Sequence, residues 1–183
     1  MSRTAVMMLL LSAALPAQVR NIKFNGRALT DEQMAKLQLV ERAFGVRLPD
    51  REYWYDNRSG AAGMWKGPAV ALLPAGLGLG GSMPADCSGG RTGVFINGRE
   101  LHPLDVALLS QIGPVLRGRW FLEADGTFGA EGGYPLGNLF AAANAVSNRQ
   151  GQHRVYAPGE LSGLIGNPEV GYCTQAGNCA YRR

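Results

Sequence analysis

Apolar and polar positions alternate in two rhythms along the chain, and the same succession of rhythms occurs twice. Ile22-Lys23-Phe24 leads into Asn25-Gly26-Arg27-Ala28-Leu29, and Val94-Phe95-Ile96 leads into Asn97-Gly98-Arg99-Glu100-Leu101. A short apolar run broken by Asn-Gly predicts a hairpin, because both central positions of a type I′ turn need positive φ and these residues accept it. Helical periodicity follows. Met34, Leu37, Val40 and Phe44 share one helical face behind Thr30, which has capping-box spacing to Gln33, and Gly45 supplies the stop. In the second pass His102 stands in Thr30's place and Pro103 suits the first helical position. Val106, Leu109 and Ile112 repeat the apolar positions, and Gly113 ends a shorter helix.

An aromatic strand entering a turn comes next, as Tyr53-Trp54-Tyr55-Asp56-Asn57-Arg58-Ser59-Gly60 and as Arg119-Trp120-Phe121-Leu122-Glu123-Ala124-Asp125-Gly126. Aligning the two passes sets Trp54, Tyr55, Gly60, Gly63 and Gly67 on Trp120, Phe121, Gly126, Gly129 and Gly133. The expected fold is therefore α+β: a tandem duplication of a hairpin-helix-hairpin unit with short antiparallel strands, Trp54 and Trp120 occupying equivalent sites. The expected layout is a signal peptide over 1–17, a first unit over 18–84, a connector over 85–93, a second unit over 94–146 and a tail over 147–183, with a helix over 136–146.

Composition fits this picture. With 26 Gly and 10 Pro in 183 residues, many turns join short elements. The net charge of +4 comes from 18 basic and 14 acidic residues with no dense basic run, so a nucleic-acid groove has little support. Arg3, the uncharged apolar run Ala5 to Leu15 and the small residue Ala17 read as a secretory signal, too short to span a bilayer, which needs about 20 residues. Secreted or periplasmic location follows as an expectation, with no transmembrane segment. Export permits a disulfide between Cys173 and Cys179 around a five-residue loop, which leaves Cys87 unpaired, burial being its preferred fate.

Candidate chemistry is sparse. Gly78 to Gly81 lacks the Lys and Ser/Thr of a phosphate-binding P-loop and reads as a connector. No cofactor motif or metal-ligand spacing is present. Cys87, His102 and Asp105 form the best catalytic set, a thiol, an imidazole and an orienting carboxylate, although Thr30's equivalence to His102 favours capping. His153 lies in a polar segment and reads as solvent-exposed. Glu123, Asp125 and Glu131 offer acid and base for glycoside hydrolysis, but in this alignment Asn57, Ser59 and Trp65 hold their places in the first unit. Arg27 and Arg99 both follow an Asn-Gly turn; they either serve the helix start or form a symmetric pair of anion sites. Tyr53, Trp54, Tyr55, Trp120 and Phe121 are either core anchors or a ligand platform.

Two resemblances add to this. The aromatic-Asp-Gly hairpin Trp120-Phe121-Leu122-Glu123-Ala124-Asp125-Gly126 resembles the hairpins of cell-wall-binding and choline-binding repeats, which implies aromatic sites for wall polymers or quaternary amines. The succession from Asn97-Gly98-Arg99-Glu100-Leu101 to Glu131-Gly132-Gly133 resembles small exported bacterial proteins, which implies secretion but no chemistry. The functional expectation is a non-catalytic binding or assembly protein of the cell envelope or extracellular matrix, with Arg27, Tyr53, Trp54, Tyr55, Arg99, Trp120 and Phe121 as the candidate ligand set and a wall polymer, a surface glycan or a second copy as partner. The alternatives are a secreted hydrolase built on Cys87, His102 and Asp105, and a self-assembling surface fibre subunit.

Overall fold

The computed structural model describes residues 20–149 and the backbone of two later strands; the signal-like segment and most of the tail, His153 included, lie outside the described residues. In chain order the elements are β1 (Lys23–Phe24), β2 (Arg27–Ala28), α1 (Asp31–Phe44), β3 (Glu52–Tyr55), β4 (Ala61–Met64) and β5 (Ala71–Leu72). After a loop come β6 (Val94–Ile96), β7 (Arg99–Glu100), α2 (Pro103–Ser110), β8 (Gly118–Leu122), β9 (Thr127–Ala130), β10 (Pro135–Asn138) and α3 (Leu139–Arg149). The later strands, β11 (Gly171–Cys173) and β12 (Cys179–Tyr181), pair antiparallel and set the Cys173 backbone opposite that of Cys179. The side chains of the expected disulfide lie outside the described residues.

The fold is α+β, with two five-stranded sheets in the orders β2-β1-β3-β4-β5 and β10-β9-β8-β6-β7. Both sheets are mixed rather than purely antiparallel. Each hairpin is followed by a helix that carries the chain back, so β3 joins β1, and β8 joins β6, as parallel neighbours. Both Asn-Gly pairs take positive φ: 52° and 77° at Asn25 and Gly26, 50° and 87° at Asn97 and Gly98. Nothing lies within 4 Å of a Cβ added at Gly98, so Gly98→Val meets only backbone strain. It is expected to cost about 1–3 kcal/mol in urea melts, with Gly26→Val comparable.

Helix α1 forms as its pattern dictates, with a complete Thr30–Gln33 capping box and Gly45 at φ 66° closing it. Its buried face, Leu37 and Val40, meets Ile22, Phe24, Tyr53, Tyr55 and Leu79 in one core cluster. Trp54, on the opposite face of β3, packs against Ala61 and Cys87 in a second cluster. Residues 136–138, expected to be helical, belong instead to β10, and the helix begins at Leu139. Leu139 N–H bonds the Gly126 carbonyl, which ties the start of α3 to the β8–β9 turn.

The aromatic alignment needs a correction. Asp56 N–H bonds Ala61 O and closes a turn over residues 57–60, whereas Glu123 N–H bonds Thr127 O across 124–126. The first turn is one residue longer, so strand positions before the turn shift by one relative to the glycines after it. Gly63 faces Trp54 in register, and Gly129 faces Phe121. A Cβ on either glycine would come within 2.7 Å of the facing ring. Trp54 therefore corresponds to Phe121, and Trp120 to Tyr53. The two Trp residues do not share a site: Trp54 is fully buried, whereas Trp120 is half-buried with its Nε1–H on Leu116 O.

Candidate functional site

The residues that looked like chemistry meet where the two halves join. Arg99, in β7, places its guanidinium 4.0 Å from the centre of the Trp54 ring, across from the first half. Its Nη1 donates to Asp105 Oδ2 at 2.8 Å, and both side chains are almost wholly buried. The other carboxylate oxygen, Oδ1, accepts the Ala69 N–H at 2.8 Å. Asp105 reaches this point because it is the third residue of α2 and points back past the helix start. Its Oδ2 also accepts the His102 backbone N–H, completing a capping box.

These bonds occupy the residues of the hydrolase set in structural contacts. The His102 Nδ1 accepts the Leu104 N–H at 3.1 Å, so the ring caps a helix, and Asp105 is engaged by Arg99 and Ala69 rather than by that ring. Cys87 is fully buried, and burial pushes its thiol up to about 12, with the nearby Arg99 charge opposing the rise. A thiol held protonated and out of solvent is no nucleophile. In the native protein at pH 8 the peptide carrying Cys87 should stay unmodified by iodoacetamide for as long as the fold persists, and label fully in guanidinium. Because the folded pKa lies above the unfolded one, the stability linked to this thiol is present below pH 9 and lost as pH rises towards 12. Burial of Tyr53 and Tyr55 also raises their hydroxyls above the usual tyrosine range, which adds to alkaline unfolding in the same direction.

The acidic set of the second hairpin is held on the surface by partners. Arg58 Nε and Nη2 donate to Glu123 Oε1 at 2.9 and 2.5 Å, and this hydrogen bond lowers the Glu123 pKa. Asp125 accepts the Thr127 N–H, which lowers its pKa too, and Glu131 pairs with Arg119. A glycosidase acid needs a pKa raised by its surroundings, which is the opposite shift.

The candidate ligand platform is dispersed. Tyr53 stacks on Phe24 with centroids 5.3 Å apart and donates its hydroxyl to Pro49 O; Tyr55 donates to Pro74 O and Trp54 Nε1 to Gly67 O. All three are core anchors with their polar ends satisfied, so no ring face remains for a ligand. Phe121 is buried, with the Arg58 guanidinium 4.9 Å from its ring centre. Arg27 and Arg99 do not form a symmetric pair of sites, since Arg27 is exposed and Arg99 buried.

The side-chain bonding of three polar residues escaped the sequence reading, two of them, Asn97 and Asp56, at this junction. Asn25 is buried and acts as a surrogate strand residue: its Oδ1 accepts the Tyr55 N–H, and its Nδ2 donates to the carbonyls of Tyr55, Leu79 and Gly81. Asn97 repeats the pair of bonds on Leu122 and adds a 2.7 Å bond from Nδ2 to Asp56 Oδ2, linking the halves. Asp56 also receives Ser59 Oγ and the Arg58 N–H. In the corrected register Asp56 corresponds to Glu123, so the hairpin acid is repeated after all. A one-residue gap before Gly60 would have revealed it.

A 120-residue stretch, 64% of this chain, is 31% identical to Extra-large guanine nucleotide-binding protein 1 of Arabidopsis thaliana. Extra-large guanine nucleotide-binding protein 2 of the same plant is 26% identical over 129 residues. The matches cover 13% and 15% of those proteins, so the chain spans only a small fraction of their length. No family model matches the chain. No solved structure matches it.

Proposed function

We propose that the chain is a non-catalytic binding or assembly module, exported to the cell envelope or extracellular matrix, and that assembly rather than glycan capture is its mode. Export rests on the signal-like segment of the sequence. The observation that carries the assembly reading is the outward face of α2. Leu104 and Leu108, one helical turn apart, are 56% and 55% exposed, and Leu116 beyond the helix is 63% exposed. Asp105 is the buried residue of this helix and Val106 and Leu109 are half-buried beside it, so Leu104 and Leu108 lie on the face turned to solvent. Leucine offers a sugar neither hydrogen bonds nor a ring face, whereas apolar side chains clustered on a surface serve contacts between proteins.

The name of the Arabidopsis relatives refers to guanine nucleotides. That activity is not carried over, because the shared stretch is a minor part of those proteins and Gly78 to Gly81 neither carries a P-loop Lys nor opens a helix here. Sedimentation velocity over a range of concentrations tests the proposal. Reversible association is expected, lost in the double variant Leu104→Glu/Leu108→Glu. A monomer at every concentration, together with retention on cell-wall polymers in a pull-down, would transfer the function to glycan binding.

A further inference from the structure

The structure assigns Arg27, together with the glycine-containing loop beside it, a site for a small oxyanion, a carboxylate or a phosphate group. The internal template is Asp105. In the second half, the Arg that follows the Asn-Gly turn gives Nη1 to one oxygen of that carboxylate, and a backbone N–H, that of Ala69, gives to the other. Guanidinium plus amide on one carboxylate is a general means of holding an oxyanion. Asp105 is the third residue after the N-cap of α2, and the third residue after the N-cap of α1 is Gln33. Gln33 is neutral and already engaged: its Oε1 accepts the Thr30 N–H and its Nε2 donates to Gly78 O. Arg27 thus has the position of Arg99 without the carboxylate that Arg99 pairs with. Among the described residues its side chain makes no hydrogen bond and no ion pair.

The loop next to Arg27 supplies the amide. A Cβ built on Gly81 would lie 3.5 Å from Arg27 Nη1, so the guanidinium lies alongside this residue. Leu79 O and Gly81 O both turn inward to Asn25 Nδ2, at 3.3 and 3.0 Å. In a trans peptide the N–H points opposite to the carbonyl, and every peptide here is trans. The N–H groups of Gly80 and Ser82 therefore point away from Asn25, and neither donates to an acceptor among the described residues. Gly81 and Ser82 are exposed. An oxyanion resting against Gly81 would meet Arg27 and the Ser82 N–H, the same two donor types that hold Asp105. Of the acidic residues opening α1, Glu32 is paired with Lys36 at 2.8 Å and Asp31 is exposed.

This site does not depend on the leucines of α2, and its test is separate from sedimentation. The full chain, labelled with 15N, is titrated with inorganic phosphate and separately with acetate, ionic strength being held constant with chloride. Saturable shifts are expected at Gly80, Gly81 and Ser82 amides and at Arg27 Nε–H, with millimolar affinity of the order that one guanidinium and one amide provide. Saturation by phosphate assigns a phosphate ligand and saturation by acetate a carboxylate. Arg27→Gln should weaken binding roughly tenfold, the share of one charge-assisted hydrogen bond. Gln33→Asp, which supplies the carboxylate that the second half already has, should shift Arg27 Nε–H without added anion and block the titration. The absence of saturable shifts with either anion, or shifts unchanged in Arg27→Gln, would overturn the proposal.

Discussion

Asp105→Ala is expected to cost about 3–5 kcal/mol of stability, measured by urea unfolding, because it leaves the Arg99 guanidinium buried beside Trp54 with no counter-charge. Arg99→Met should cost a similar amount through the stranded carboxylate, although the Ala69 N–H would still stabilise that anion. The effect is large because the environment is dry on both sides. Trp54 and Cys87 are wholly buried, and the Arg99 and Asp105 side chains are only 5% and 6% exposed. A catalytic reading predicts a different outcome: loss of activity with stability retained.

Asn25→Gly is the second large effect. Glycine tolerates the φ of 52° without strain, so this substitution removes hydrogen bonds while leaving the turn conformation accessible. The Tyr55 N–H loses its acceptor in the core, and the carbonyls of Leu79 and Gly81 lose their donor. Stranding buried polar groups costs about 1–3 kcal/mol for each one left unsatisfied, so a loss of about 3 kcal/mol or more is expected in thermal and urea melts. Asn97→Gly should cost less, about 1–2 kcal/mol, because Asn97 is half-buried and water can replace part of its bonding. Equal effects at the two positions would show that burial does not set the cost.

Much of the architecture was legible because it follows local rules. Thr30, Gln33 and Gly45 bound α1 by capping chemistry, and the two Asn-Gly pairs specify their turns by backbone sterics. The parallel pairing of β1 with β3 was not legible. Strands two and three residues long carry no periodicity that distinguishes a parallel neighbour from an antiparallel one. Aligning Trp with Trp failed for a related reason. Glycines after the turn and aromatics before it are fixed by different contacts, so a one-residue change in the turn moves one set against the other.

The candidate site was less legible than the fold. Cys87, His102 and Asp105 were weighed as one group and Arg99 was paired with Arg27, but only burial and partner distances show that Arg99 and Asp105 form a buried ion pair while His102 caps a helix. Asn25 was read for its tolerance of positive φ, whereas its side-chain bonding depends on Leu79 and Gly81, distant in sequence. The exposed leucines of α2, Leu104 and Leu108, lie off the apolar positions Val106, Leu109 and Ile112 that the pattern picked out. That predicted stripe is half-buried, and the helix is short enough that Asp105 beside it is the residue most deeply buried.

The central claim is that these polar residues hold the two halves together as one structure rather than perform chemistry, and a double-mutant cycle on Arg99 and Asp105 tests it most directly. Urea unfolding of the wild type, Arg99→Met, Asp105→Leu and the double variant gives the coupling energy. The account predicts that the double variant is more stable than either single one, because no buried charge is left unpaired, with a coupling of about 2 kcal/mol or more and a single cooperative transition throughout. Strictly additive losses, or separate transitions for the two halves in the wild type, would contradict it.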